Sequence, residues 1–315
     1  MQFKKISEEY IDQATNLVLD AYRGERIKVE CLPNIDYSGI LKEKIEDLFK
    51  NGLGIVALVN GKVVGFLVGY EVNDFWGKCK GIYCPLFGHG AVKENHKEIY
   101  QQLYRKAAKI WVDREIMQHA ITLYAQDKLT LETWFWLGFG MRCVDGIREV
   151  TPTNDEKPEI TIKKAKISDV ESLEIIDQKH NKYYRSSPLF MPVEEENSVD
   201  HLTRWLNEEN HHLWIAYNGD QVIGYMRIEP TGESYIVEYK DVMNVTGAYV
   251  DPTHRGKGIG ACLLDSIQSW LLSNNYSLCG VDYESFNISG SRFWGKYFTA
   301  YTYSLVRRID ERILD

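Results

Sequence analysis

The sequence lacks the features that would tie it to a membrane, a nucleic acid or a metal. It has no apolar run of the roughly 20 residues that a spanning helix needs. Its polar start, "MQFKKISEEYIDQ", is expected to be neither a secretory leader nor an anchor. Positive charge is in deficit: 37 Lys and Arg face 45 Asp and Glu, a formal net charge of −8. Nucleic acid and anionic membranes are therefore not expected as main partners. No two of the six cysteines, Cys31, Cys79, Cys84, Cys143, Cys262 and Cys279, have CxxC spacing. Most sit among apolar neighbours, which predicts free thiols in a reducing compartment. The histidines are scattered, with only His211 and His212 adjoining, so no metal site is expected. A G-x-x-x-x-G-K-[ST] phosphate loop is absent as well. These absences leave a soluble, cytoplasmic, metal-free protein as the expectation.

What is present is a repeat with a period of about half the chain. "MQFKKISEEYIDQATNLVLDAY" and "ITIKKAKISDVESLEIIDQKH" each read as a short strand, a polar turn and an amphipathic helix. Ser168 and Glu171 predict a capping box at the second of these helices. "GIVALVNGKVVGFLVGYE" and "LWIAYNGDQVIGYMRIE" each read as a hairpin, turning at Asn60-Gly61 and Asn218-Gly219. Each half closes on an aromatic helix and a late strand, with Asp127 and Trp134 answered by Asn287 and Trp294 at the same spacing. The aromatic run "WFWLGF" is expected in the core. Between the halves, "TPTNDEKPE" carries two prolines and charges without apolar periodicity, as a linker would. The expected domains are 1–150 and 159–315, joined by 151–158.

Only the second half holds "VDPTHRGKGIGACLLDSIQSWL", Val250 to Leu271. Glycines let the backbone approach an anion and take left-handed φ, and a following helix start offers free N–H groups. Arg255 adds a charge-assisted donor. A tight turn without a ligand would use the same residues. "GKGIGA" also satisfies the dinucleotide pattern, with Asp282 as the ribose acid. That fingerprint wants its first glycine directly after the strand, and here five residues intervene.

Val250-Asp251-Pro252, Arg255 to Gly260, the strand "YSLCGVDYE" and Asn287 before "SRFWGKYF" resemble the GNAT superfamily of acyl-CoA-dependent N-acetyltransferases. The likeness is strong over roughly 160–315 and legible through the repeat over 1–150. It implies an α/β (α+β) fold of two tandem GNAT-like domains, each a mixed, splayed central sheet flanked by helices. It also implies that the backbone of Arg255, Gly256, Lys257, Gly258, Ile259, Gly260 and Ala261 holds the pyrophosphate of acetyl-CoA. Ala248, Tyr249 and Val250 would pair with the pantetheine arm, with Asn287 and Trp294 beside the coenzyme. An N–H of Tyr249 or Val250 would stabilise the oxyanion. Thr253 departs from the family, which often has Gln or Arg there. The first half keeps Gly88 and Gly90 but has no R-G-x-G-x-G, so it is expected to lack the coenzyme; His89 reads there as a packed loop histidine.

The implied reaction is direct attack of a small-molecule or amino-acid-like primary amine on the acetyl thioester. An amine with pKa near 10.4 must be freed of its proton, so a base is expected. Asp241 is the nearest carboxylate to the family's position, with Glu238 and Glu284 behind it. Trp294 stands where the family has its acid tyrosine, which leaves Tyr297 as the candidate acid. The acceptor loop is expected at "HNKYYRSSPLFMPVEEEN", with Tyr183, Tyr184, Arg185 and Phe190 lining a pocket and Glu194-Glu195-Glu196 attracting a cation. A non-catalytic acyl-CoA-binding or sensing protein is the alternative, and a monomer or homodimer the expected state.

Overall fold

A computed structural model describes residues 1–153, 158–193 and 197–314. The elements of the first half are β1 Gln2–Lys5, α1 Ile11–Arg26, α2 Ser38–Asn51, β2 Leu53–Val59, β3 Lys62–Val72, β4 Gly81–Cys84, β5 His89–Ala91, α3 His96–Val112, β6 Gln118–Tyr124, α4 Lys128–Trp136 and β7 Gly140–Glu149. The second half follows with β8 Thr161–Lys164, α5 Val170–Arg185, α6 Ser198–Asn207, β9 His212–Asn218, β10 Gln221–Glu229, β11 Val242–Val250, α7 Ile259–Ser273, β12 Leu278–Glu284, α8 Ile288–Tyr297 and β13 Thr299–Arg308.

Two compact units result, and they differ from the two sequence halves at their ends. One is Met1–Val144 with Ala300–Asp315; the other is Asp145–Thr299. The divisions thus fall inside β7 and at the start of β13, not at 151–158. The physical reason is strand pairing: β13 bonds antiparallel to β6, from Thr302 opposite Tyr124 to Arg308 opposite Gln118, and so belongs to the first unit. Residues 154–157 of the expected linker lie outside the described residues.

In the first unit the strands run β1-β2-β3-β4-β6-β13, with β5 added on β3. Trp111, Trp134, Leu103 and Ile121 fill the core. The helix α1 buries Ile11, Ala14, Val18 and Tyr22, the stripe that a 3.6-residue period dictates. Of the aromatic run, Trp134 and Phe139 are buried, but Phe135 and Trp136 are exposed, Trp136 at 75%. A short helix at the sheet's surface can bury only one side of such a run.

In the second unit the strands run β7-β12-β11-β10-β9-β8. Alternation along each strand gives the sheet two dry faces. Leu263, Leu264, Ile267 and Leu271 of α7 cover Met226, Met243, Val245 and Val281 on one. On the other, Leu173 and Ile176 of α5 and Leu202 and Trp205 of α6 cover Ile215, Tyr225 and Tyr249. Among the described residues no helix is long and apolar enough to cross a membrane.

Local details of the repeat are reproduced with two shifts. Asn60 and Gly61 both take positive φ, as a tight primed turn requires. In the second hairpin Asn218 still pairs with Gln221, so the turn moves on to Gly219-Asp220. The predicted box of Ser168 and Glu171 is replaced by Asp169, whose carboxylate accepts from Lys166 N at 2.8 Å. The equivalence of Asp127 and Asn287 is structural: each caps its helix by accepting from the backbone N–H three residues on, Thr130 and Gly290. No two of the six cysteines are joined in a disulfide among the described residues.

Candidate functional site

The site begins where two parallel strands part. β11 and β12 pair from Val242 opposite Leu278 to Val245 opposite Val281, and there the register ends. On its other side β11 stays bonded to β10 as far as Val250 opposite Gly224. The register slips by one residue at Thr246, a β-bulge that bends the strand away from β12. Asp251 N donates to Ile223 O, which makes those two a hydrogen-bonded pair. By alternation, Ala248 and Val250 turn their own peptide groups away from β10 and into the opening, whereas Tyr249 does not. Of Tyr249 and Val250, the strand register turns only Val250 to the opening, together with Ala248. Thr246 Oγ1 is buried in the bulge without a partner among the described residues.

The opening is a cavity of about 470 Å³. Nearly all the residues singled out for a coenzyme line it: Ala248, Tyr249, Val250, Arg255, Gly256, Gly258, Ile259, Gly260, Ala261, Asn287 and Trp294. Lys257 does not; its Nζ donates to Thr253 O at 3.1 Å. Gly256 and Gly258 take φ of +75° and +80°, a region costly for any residue with a Cβ. Gly258 caps α7 with no side chain to offer. The first-turn amides of Ile259, Gly260 and Ala261 thus have no intrahelical acceptor by helix geometry and stay available to an anion.

The turn is braced from below. The Asp251 carboxylate accepts from Thr253 N at 3.0 Å, Thr253 Oγ1 at 2.7 Å and Lys179 Nζ at 2.6 Å. These bonds hold its pKa well below the usual carboxylate range, the Lys179 bond most of all. Thr253 is thereby a bracing residue. Arg255 is folded back: its Nε donates to Val250 O at 2.9 Å, and its guanidinium lies over the Tyr183 and Tyr249 rings at 4.6 and 5.3 Å. Tyr183 OH donates to Asn287 Oδ1 at 2.7 Å, tying the end of α5 to the start of α8.

The two candidate catalytic residues separate. Tyr297 lines the cavity, with Lys296 Nζ 2.9 Å from its hydroxyl. Trp294, buried at 7%, packs with Phe293 and Phe298. Asp241 sits before the first residue of β11, with its backbone carbonyl bonded to Ser277 N and Leu278 N. Seven residues of strand, about 23 Å, separate it from Ala248. Asp241 therefore lies at the wrong end of the strand for proton transfer in the opening, and Glu238 is not among the residues that line it. Of the acids considered, Glu284 does line the cavity.

Beside it, Asp282 is the first residue of β12 past the last pair with β11. It lines the cavity too, and enclosure pushes its carboxyl pKa well above the usual range, with Glu233, Asp145 and Glu284 adding to the rise. Sequence reading had met Asp282 only as a ribose acid. A second group it passed over is His180, also on the cavity wall, bonded through Nδ1 to Tyr225 OH at 2.7 Å. No motif marks it, because Tyr225 lies 45 residues away on β10. Tyr183 and Tyr184 line the cavity as expected. Phe190 is 73% exposed and does not, and Glu194-Glu195-Glu196 lie outside the described residues.

The equivalent stretch of the first unit is built differently. Gly88 and Gly90 are not among the left-handed glycines. A Cβ on Gly88 would meet Val68 O at 2.6 Å, so close packing explains that glycine. His89 is buried with both ring nitrogens engaged, by Tyr100 OH at 2.9 Å and Thr122 O at 2.8 Å.

Residues 176–294 match the acetyltransferase (GNAT) family. No curated protein sequence matches the chain. Among solved structures, a GCN5-related N-acetyltransferase from Sphaerobacter thermophilus aligns at a TM-score of 0.61 and 12% identity, over 98% of this chain and 95% of that one. A GCN5-related glucosamine N-acetyltransferase region of a fungal multi-domain GH3 beta-N-acetylglucosaminidase aligns at 0.55 and 15%, over 97% of this chain and 38% of that one. At such identities the two structures show the fold, and they show it along nearly the whole chain. The family match covers the split strands, the glycine turn and the cap of α8: residues 176–294 have the sequence of an acetyltransferase (GNAT) family domain.

Proposed function

We propose that the second unit moves an acetyl group from acetyl-CoA to the primary amine of a small or amino-acid-like acceptor. The observation that carries this is the junction of the parted strands with the glycine turn. It presents the Ala248 peptide groups, the Val250 N–H, the orphaned Thr246 hydroxyl and the free amides of α7 along one cavity. Unpaired backbone groups in a recess are costly, and an amide-bearing, diphosphate-ended ligand is of the kind that satisfies them.

In this reading the amides of 256–261 hold the pyrophosphate and the edge of β11 at Ala248 and Val250 aligns the pantetheine arm. Acetyl-CoA would supply the acetyl thioester. The amides facing the opening stabilise negative charge developing on its carbonyl oxygen. Asp282 takes the proton from the attacking amine. Its raised pKa suits that task, because a carboxyl of ordinary pKa is a weak base for an alkylamine. Tyr297 is placed to return a proton to the leaving thiolate.

The test is thermal stability with coenzyme A, followed by acetyl-CoA turnover over tyramine, spermidine, free amino acids and glucosamine, the last because the fungal neighbour is a glucosamine N-acetyltransferase region. Stabilisation with turnover of at least one amine is expected. Stabilisation without turnover on any amine would instead favour a coenzyme-binding or sensing role.

A further inference from the structure

The inference concerns the wall of the cavity that faces α5, and it rests on the acetyl-transfer reading above. Three groups form a chain there, Asp177 and Tyr225 buried and His180 half-buried. Asp177, 6% exposed, accepts on both carboxylate oxygens: from Tyr225 OH at 3.0 Å on Oδ1 and from Asn181 Nδ2 at 3.4 Å on Oδ2. Tyr225, 2% exposed, has one hydroxyl proton, and that bond to Asp177 uses it. The 2.7 Å contact between Tyr225 OH and His180 Nδ1 can then be a hydrogen bond only if Nδ1 carries the proton. The neutral ring is thereby left with its lone pair on Nε2. No hydrogen bond from the described residues reaches Nε2, and the ring lines the cavity. Tyr249 stacks against the ring at 5.0 Å and 29°, and Tyr184 packs at 5.0 Å, so the ring is not free to flip.

The ring also stays uncharged. Burial lowers its pKa to about 3, and the Arg227 and Arg255 guanidinium groups push the same way. A histidine held neutral with an open lone pair is a hydrogen-bond acceptor by construction. It stands on the α5 face of the sheet. Alternation puts Asp282 on that same face, since Val281 packs on the α7 side.

We propose that His180 is the acceptor-orienting residue: its Nε2 takes a hydrogen bond from one N–H of the incoming amine while Asp282 takes the other proton. Tyr225 and Asp177 are positioning residues that hold the ring in the required tautomer. A site with two acceptors for one nitrogen needs two N–H groups on it. It therefore selects primary amines, and it disfavours N-alkylated ones beyond their added bulk.

The decisive measurement needs no acceptor. Nitrogen-15 NMR of histidine-labelled protein, with the His180 signal assigned by its loss in His180→Gln, should show the Nδ1–H tautomer. Tyr225→Phe should convert it wholly or partly to Nε2–H, the form a free ring prefers. An Nε2–H ring in the wild type, or a tautomer unmoved in Tyr225→Phe, overturns the proposal.

The second measurement uses the fastest primary amine found in the turnover panel and its N-methyl derivative. In His180→Gln and Tyr225→Phe, kcat/KM for the primary amine should fall at least tenfold. The stabilisation by coenzyme A should stay within the wild-type range, and preference over the N-methyl derivative should shrink. An unchanged preference overturns the proposal with acetyl transfer intact. Absence of turnover by the wild type overturns both.

Discussion

Val245 and Val281 face each other as the last pair of the parallel ladder between β11 and β12. The strand edges that border the opening begin within a few residues beyond them. Ahead on one strand are the Thr246 bulge and the outward amides of Ala248 and Val250; ahead on the other is Asp282. A ladder that stops leaves polar edge groups, and here those groups border a cavity rather than a filled core. The pair thus marks the boundary between structural sheet and binding edge.

The glycine turn should be intolerant of a side chain at its cap. Gly258 sits at φ +80° directly before α7. In Gly258→Trp a Cβ is strained there, and the indole occupies the space in front of the free amides. For the wild type, coenzyme A at 100 times its Kd should stabilise by about 2.7 kcal/mol. The variant should show none of this, with a circular dichroism spectrum like the wild type's to establish folding. A folded variant stabilised as strongly as the wild type would remove the anion cradle from the account.

Asp282→Asn should separate binding from chemistry. Asparagine keeps the shape but cannot take a proton. We expect kcat to fall by about 10²–10⁴-fold, the usual contribution of a general base, with coenzyme A affinity unchanged. The sign of the pH dependence follows from the raised pKa. The carboxylate is the active form, so wild-type activity should fall as pH drops through that pKa. An ammonium group arriving beside the carboxyl draws the pKa part of the way back down. The acid limb should be missing from the residual activity of the variant. Persistence of the same limb would assign it to another group.

Tyr297→Phe should have a smaller effect. A thiol with pKa near 8.5 is a tolerable leaving group without help. A loss of about tenfold in kcat with little change in KM is expected from single-turnover and steady-state rates. A loss below twofold would leave the thiolate departing unassisted.

The contrast between these residues shows what a sequence can carry. The turn was legible because its requirements are local. Left-handed φ at Gly256 and Gly258, an Asp251 brace two residues from Thr253 and an Asn287 cap three residues from Gly290 are all short-range devices. The repeat was legible for the same reason. Proton-handling groups were not, because their meaning comes from strands that meet only in the fold. Asp241 and Asp282 are both strand-associated acids, and only the end of the β11–β12 ladder shows which one reaches the opening. His180 acquires its role from Tyr225, on a strand 45 residues away. The unit boundaries were hidden likewise, since strand β13 pairs with β6 across most of the sequence.

The first unit carries a prediction of its own, at Glu25. This α1 residue is 2% exposed and accepts from Gln126 N at 3.0 Å. Burial raises its pKa to about 7, against the opposing pull of the Gln126 N–H and Lys28; Asp127 adds to the rise. The native state therefore keeps this proton at pH values where the unfolded chain, near 4.5, has lost it. Below pH 4.5 both states hold the proton and the group costs nothing. Between about 4.5 and 7 the unfolded state binds fewer protons than the native state, so stability falls as pH rises. Above 7 the native state must hold a buried carboxylate, and the full penalty, on the order of 2 kcal/mol, is present. Glu25→Gln keeps an oxygen for the Gln126 N–H and cannot ionise. At pH 8 it should be more stable than the wild type by on the order of 2 kcal/mol in urea unfolding, and at pH 5 the two should lie close together. Parallel stability curves for the two proteins from pH 5 to 8 would show that Glu25 ionises in the folded protein as easily as in the unfolded one.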